Sequence, residues 1–174
     1  MTREPAPVLR GERVTLRPVE QGDLERLTEI LRQPEVARWF GTYTPEETAD
    51  EFLHDQELTA FAIEAGGEIV GSVQFYEEDE RDYRHAGMDI FLSTERQGRG
   101  IGPEALRVLA RYLFEERGHH RLVIDPAAHN ERAINAYESI GFRRVGVMRE
   151  YERGPDGIFH DGLLLDLLAG ELAE

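Results

Sequence analysis

The chain has 174 residues, 40% hydrophobic and 32% charged, the composition of a folded protein long enough to bury a real core. It carries 35 acidic against 20 basic residues, for a formal net charge of −15, a field that repels nucleic acid and anionic membrane and attracts cationic partners. Cysteine is absent, which excludes disulfides, cysteine metal sites and a cysteine nucleophile.

At the start, residues 1–5 lack the apolar core of an export signal, and no apolar run approaches the roughly 18 residues of a membrane span. A cytoplasmic protein is expected. Residues 14–17 read as a short strand ended by Pro18. Asp23 is placed to cap a helix with Leu24, Leu27, Ile30 and Leu31 on one side, closed by Pro34. Residues 36–41 follow and carry the single tryptophan, Trp39. Thr44-Pro45-Glu46-Glu47 is a strong helix start: a capping threonine, proline at the first helical position, glutamate three residues after the cap. Ala49, Phe52 and Leu53 share a face of that helix, which is expected to end near Leu58.

The period then changes. Residues 61–63 and 69–75 read as strands joined by a Gly66-Gly67 hairpin. The polar run 77–82 is a loop or the tip of a second hairpin, leading into a strand over 87–92. After a glycine loop, a helix starting at Pro103 shows the stripe Leu106, Leu109, Ala110, Leu113 and Phe114, with Gly118 as its stop. Residues 122–124 form a buried-looking strand ended by Asp125-Pro126. Asn130 caps a helix whose inner face is Ala133, Ile134, Tyr137 and Ile140, stopped by Gly141. Strands over 142–147 and 163–168 close the chain, linked through the turn-rich Gly154-Pro155-Asp156-Gly157. With no repeat, linker or low-complexity tract, the order specifies one mixed α/β domain over residues 1–174.

The glycine loop, Gln97-Gly98-Arg99-Gly100-Ile101-Gly102, carries the chemistry. Glycines take positive φ and turn their N–H groups into a concave nest, and the helix that follows adds free first-turn N–H groups and a positive dipole end. Phosphate is the usual guest of such a cradle, although an ordinary strand-to-helix turn has the same local pattern. A Rossmann site requires G-x-G-x-x-G early in a βαβ series, and here the glycines alternate after antiparallel hairpins. A P-loop ends in Gly-Lys-Ser/Thr, and this chain has no lysine. Both nucleotide readings fail on named residues.

From Gln97 the spacing Q-x-x-G-x-G resembles the pyrophosphate motif of the GCN5-related N-acetyltransferases (GNAT). Residues 130–142, with Asn130 at a helix start, Tyr137 one face later and Gly141-Phe142 at the end, resemble that family's second signature. The order of elements matches over essentially the full length. The resemblance implies a mixed, mostly antiparallel sheet flanked by helices, with two central parallel strands splayed apart, here 88–92 and 122–124. It implies acetyl-coenzyme A in that wedge and no metal. Ile90, Phe91 and Leu92 would pair with the pantetheine arm, and Gln97, Gly98, Arg99, Gly100, Ile101 and Gly102 would hold the pyrophosphate. Arg99 would add a charge-assisted contact. Asn130, Ala133 and Tyr137 complete the cofactor side, Asn130 also serving as a plain N-cap.

Without cysteine, transfer is direct, in a ternary complex. The acceptor amine, with a pKa of about 10.4 if lysine-like, must lose a proton, and the departing thiolate must gain one. The resemblance gives Tyr137 the second task. Asp89 and Asp125 are the candidates for the first, since a carboxylate beside an apolar strand is costly without a partner. A strand-end cap for Asp125 and an outward position for Asp89 are the competing readings. His119, His120, His129 and His160 show no metal-ligand spacing and are read as surface residues.

Within the family, Trp39 with its neighbours, Asp82, Asp89 and Asp125 resemble the substrate contacts of aminoglycoside acetyltransferases that modify the 6-prime amine. A small, cationic amine is therefore the expected partner. Gln97 departs from the commoner basic residue, and residues 149–157 look more like ribosomal-protein N-terminal acetyltransferases. A protein N-terminus, a polyamine and a non-catalytic acyl-CoA sensor are the alternatives. A homodimer is compatible with the sequence.

Overall fold

Strand-forming, β-branched and aromatic runs separated by glycine and acidic turns build eight strands: β1 (Leu9–Arg10), β2 (Val14–Pro18), β3 (Leu58–Ala65), β4 (Glu68–Glu78), β5 (His85–Leu92), β6 (Arg121–Ile124), β7 (Arg143–Arg153) and β8 (Phe159–Leu168). In this computed structural model, which describes residues 5–174, they form one sheet in the order β1-β2-β3-β4-β5-β6-β8-β7. Residues 1–4, most of the stretch read for an export signal, lie outside the described residues. Every neighbouring pair is antiparallel except β5 and β6, which run parallel.

Five helices cover the two faces. On one side α1 (Leu24–Leu31), α2 (Pro34–Phe40) and α3 (Pro45–Ala49), with the turn that follows α3, bury Leu27, Ile30, Leu31, Val36 and Phe52 against Ala60, Ala62 and Phe91. Leu27, Ile30 and Leu31 are fully buried, each worth roughly 1.5–3 kcal/mol relative to exposure. On the other side α4 (Ile101–Glu115) and α5 (Glu131–Ser139) bury Leu106, Leu109, Leu113, Ile134 and Tyr137 against the opposite side chains of the same strands. No described helix is long and apolar enough to cross a membrane.

Among the differences from the sequence expectation, three bear on the packing. Pro34 opens α2 rather than merely closing α1, because a first-turn proline sacrifices no helical hydrogen bond. The helix with the Thr44 capping box ends early: α3 stops at Ala49 and passes into a wide π-type turn over Asp50–His54, since Leu58 is already paired with Tyr76 between β3 and β4. Two of the residues read as a polar loop, Glu77 and Glu78, belong to β4. Glu77 accepts hydrogen bonds at 2.7 Å from both His119 Nε2 and Arg117 Nη2. Burial opposes ionisation of Glu77, and the bonds from Arg117 and His119 outweigh it, holding its pKa below the usual carboxylate range. His119, expected on the surface, is thus a buried structural residue, its side chain 0% exposed.

The feature that positions the site is the parting of β5 from β6. They pair only at Ala86↔Leu122 and Gly87↔Val123. The Tyr76 ring lies over Gly87, where a Cβ would come within 2.0 Å of it. Beyond Gly87 the strands separate, as expected of splayed central strands.

Candidate active site

The gap between β5 and β6 opens a cleft of about 1000 Å³ that crosses the sheet, lined from one face by Trp39, Tyr43 and Glu51 and from the other by Gly98, Asn130 and Tyr137.

At the α4 end, Gly98 and Gly100 both take positive φ, +72° and +79°, as the nest geometry requires. Gly100 caps α4, whose first-turn N–H groups face the loop's end. A Cβ at Gly98 would lie 3.0 Å from Arg132 Nη2, and one at Gly100 2.9 Å from Arg13 Nη2. Two guanidinium groups therefore flank the loop. Arg13 is engaged: its Nε donates to Glu104 Oε2 at 2.9 Å and its Nη1 to the Arg99 carbonyl at 2.9 Å. Arg132 lines the cleft and forms no ion pair among the described residues. Backbone N–H groups plus a free guanidinium make this end fit a pyrophosphate. Gln97 Nε2 donates to the Leu92 carbonyl at 3.0 Å, tying the loop to the end of β5.

Where the strands part, carboxylates and phenols gather. Asp89, on β5, is an exposed residue that lines the cleft, where the surrounding protein still desolvates its carboxylate. That desolvation raises its pKa to about 7; a hydrogen bond from the Ile90 N–H (2.9 Å) opposes the rise, and the charges of Asp125, Glu51 and Glu152 add to it. Tyr137, on α5, is 6% exposed; burial first, then the charges of Asp89 and Asp125, hold its hydroxyl well above the usual phenol value, so it remains a proton donor. Tyr151 Oη donates to Asp125 Oδ2 at 2.6 Å, and Tyr43 Oη donates to Glu51 Oε2 at 2.5 Å. Among the described residues no basic side chain forms an ion pair with Asp89, Asp125, Glu51 or Glu152. The cleft presents net negative charge to whatever enters.

Of the residues singled out in the sequence, Asp89, Asp125 and Tyr137 meet in the cleft together with Ile90, Phe91, Leu92, Gln97, Gly98, Gly100, Gly102, Asn130, Ala133 and Trp39. Asn130 is also the N-cap, its Oδ1 accepting the Ala133 N–H at 3.3 Å. Three are not brought there by their side chains. Asp82 lies exposed on the turn between β4 and β5, outside the lining. Ile101 is buried in the core, leaving only its backbone for the loop. Arg99 is exposed and outside the lining, whereas Arg132 lies in it beside Gly98. Glu51, Tyr43, Tyr151 and Glu152 were missed. The one usable signal was the oddity of acidic and tyrosine residues inside the strand 143–153. His129 and His160 do lie near the surface, tilted beside Trp39 with ring centroids 5.0 Å and 5.4 Å apart along the series.

Sheet topology, glycine loop and through-sheet cleft define an acyltransferase of the GNAT fold. The crystal structure of an aminoglycoside acetyltransferase, AAC(6')-Ib, in complex with coenzyme A superimposes with a TM-score of 0.75 at 27% identity, covering 90% of this chain and 95% of that one. In sequence, the aminoglycoside N(6')-acetyltransferase type 1 of Klebsiella pneumoniae is 29% identical over 165 residues, 84% of this chain and 80% of that protein. The spermidine N(1)-acetyltransferase of Escherichia coli K12 is 30% identical over 145 residues, 79% and 77% of the two chains. Residues 13–143 match the acetyltransferase (GNAT) domain. The chain belongs to that family, and it is an N-acetyltransferase.

Proposed function

We propose that this enzyme acetylates a primary amine of a small cationic acceptor, directly from acetyl-coenzyme A. The observation that carries the reading is Asp89, a carboxylate with a pKa of about 7 facing unpaired acids in a cleft that also holds the Tyr137 hydroxyl. Acetyl-coenzyme A, when bound, supplies the thioester. The loop around Gly98 and Gly100, with Arg132, would hold its pyrophosphate; the free edge of β5 at Ile90 and Leu92 would hold its arm.

Asp125 and Glu152 attract the ammonium, and Asp89 takes its proton, directly or through one water. The free amine nitrogen would then form the new C–N bond as the C–S bond breaks; Tyr137 Oη–H would protonate the departing sulfur, and the second nitrogen proton, shed as the amide forms, would return to the Tyr137 oxygen directly or through water. A carboxylate beside an amine also raises the amine's pKa. Asp89 exerts the same effect when ionised, and its raised pKa narrows the gap over which the proton must move. The relatives named for an aminoglycoside and for spermidine are consistent with a polycationic acceptor.

The test is thiol release from acetyl-coenzyme A with a panel of aminoglycosides, polyamines and peptide N-termini. Turnover of the cationic small molecules is expected, with kcat lowered about 100-fold or more in Asp89→Asn and at least 10-fold in Tyr137→Phe. Turnover of peptides alone would replace the acceptor class, and binding without thiol release would replace the enzymatic reading.

A further inference from the structure

Strand β7 reaches the cleft by an irregular route. It pairs with β8 at Met148↔Gly162 and again at Glu152↔His160. Between those points Arg149, Glu150 and Tyr151 face the single residue Asp161, so β7 bulges. Glu150 takes φ +46°, and it is the non-glycine with positive φ among the described residues. For a side chain with a Cβ this conformation is uncommon and is retained only where surrounding contacts impose it. Asp161 imposes it here: its Oδ1 accepts the Glu150 N–H at 2.8 Å. The kink turns Tyr151 over the sheet, with its ring lying on Gly162, where a Cβ would come within 2.7 Å of Tyr151 Cδ1. At the end of that ring the hydroxyl meets Asp125 Oδ2 at 2.6 Å.

We propose that Asp161 is a positioning residue of the active site: it holds the Glu150 kink that aims Tyr151, and Tyr151 fixes Asp125 as the oriented anion that receives the acceptor amine. This rests on the acetyltransfer reading above and divides the labour between the two carboxylates. Asp125 spends one oxygen on the phenol donor and keeps the other for the substrate. Asp89, with no side-chain donor upon it, is left as the group that takes the proton. The neighbours that share this field are Glu51 beside α3, Tyr76 on β4, Asp89 on β5, Tyr137 on α5 and Glu152 on β7. The single apolar alternative, a surface tyrosine packed for area, does not account for a buried glycine beneath its ring, a strained backbone before it and a carboxylate at its tip.

Steady-state kinetics with spermidine and with kanamycin, at saturating acetyl-coenzyme A, test this in Tyr151→Phe, Asp161→Ala, Asp161→Asn and the Tyr151→Phe/Asp161→Ala double variant. Both single losses are expected to raise the acceptor KM about 10-fold while moving kcat less than 3-fold. The double variant should be no worse than Tyr151→Phe alone, because Asp161 acts through that hydroxyl. Asp161→Asn, which keeps an oxygen for the Glu150 N–H, should recover most of the affinity. Multiplying effects in the double variant, or an equal rise in the acetyl-coenzyme A KM, would overturn the proposal. A second readout needs no turnover: the Tyr151 phenol, held above its usual value first by its bond to Asp125, should fall back toward about 10 in Asp161→Ala when followed by ultraviolet titration against Tyr151→Phe. An unmoved Tyr151 titration would sink the aiming role even if no tested amine is acetylated, and a parent enzyme inert to every amine would count against the acceptor reading instead.

Discussion

Asp89 and Tyr137 illustrate how one cleft drives two groups to opposite duties by the same means. Burial discourages charge on both, which leaves the carboxylate able to titrate near neutrality and the phenol unable to. Two consequences follow for Asp89. As the base it must be ionised, so kcat/KM should climb with pH through about 7, and that limb should vanish in Asp89→Asn. The stability effect has the opposite sense. A carboxylate whose folded pKa lies above its ordinary 3.8 destabilises the native state once it ionises. Its stabilising balance is intact below about pH 4 and is lost as pH rises through about 7. Asp89→Asn should therefore melt higher than the parent at pH 8 and no higher at pH 4, which differential scanning fluorimetry at the two pH values would show. At this scale Asp89, Asp125 and Tyr137 were legible because a carboxylate beside an apolar run, or a phenol on an apolar helix face, is locally anomalous. Glu51 and Tyr43 were not, because nothing in an acidic amphipathic segment says which carboxylate a π-type turn will swing over the sheet.

Among the elements, the loop before α4 is where backbone conformation and chemistry are hardest to separate. Gly100 has φ +79° and Arg13 packed where a Cβ would go, so Gly100→Ala meets both backbone strain and a displaced guanidinium. That arginine also ties β2 to α4 through Glu104, which accepts from the Arg13 and Val14 N–H groups at 2.7 Å and 3.2 Å. The expected result is a loss of roughly 1–2 kcal/mol in stability and a rise of at least 10-fold in the acetyl-coenzyme A KM, read by calorimetric melting and steady-state kinetics. The sequence announced this loop, since its glycines and its helix are contiguous. It did not announce which arginine serves it. Arg99 lies within the motif but exposed and outside the cleft lining, while Arg13, just before β2, and Arg132, on α5, arrive through tertiary packing. The β7 bulge was illegible for a related reason: whether two strands slip by a residue depends on their partner, and Glu150 carries no local mark of a positive φ.

For the whole molecule, a charge of −15 acts on encounter rather than on the chemical step. A cationic acceptor approaching an acidic cleft gains in rate from the long-range field, and salt removes that gain over a Debye length of about 10 Å at 0.1 M. For spermidine, kcat/KM should fall several-fold between about 20 and 300 mM salt, with kcat nearly unchanged. A neutral or singly charged amine should show a much shallower dependence in the same stopped-time assay.

The route of the cleft through the sheet also bears on descent. On the proposed reading its donor end is built by α4 and α5 on one face and its acceptor end by α2, the turn at Asp50–His54 and the bulged β7, while β5 borders both. Mutations can accumulate on the acceptor side without loosening the grip on the donor, so a lineage carrying this architecture can trade one amine for another in small viable steps. The reverse exchange, a new donor for the same amine, would have to rebuild α4, its glycine loop and the edge of β5 at once.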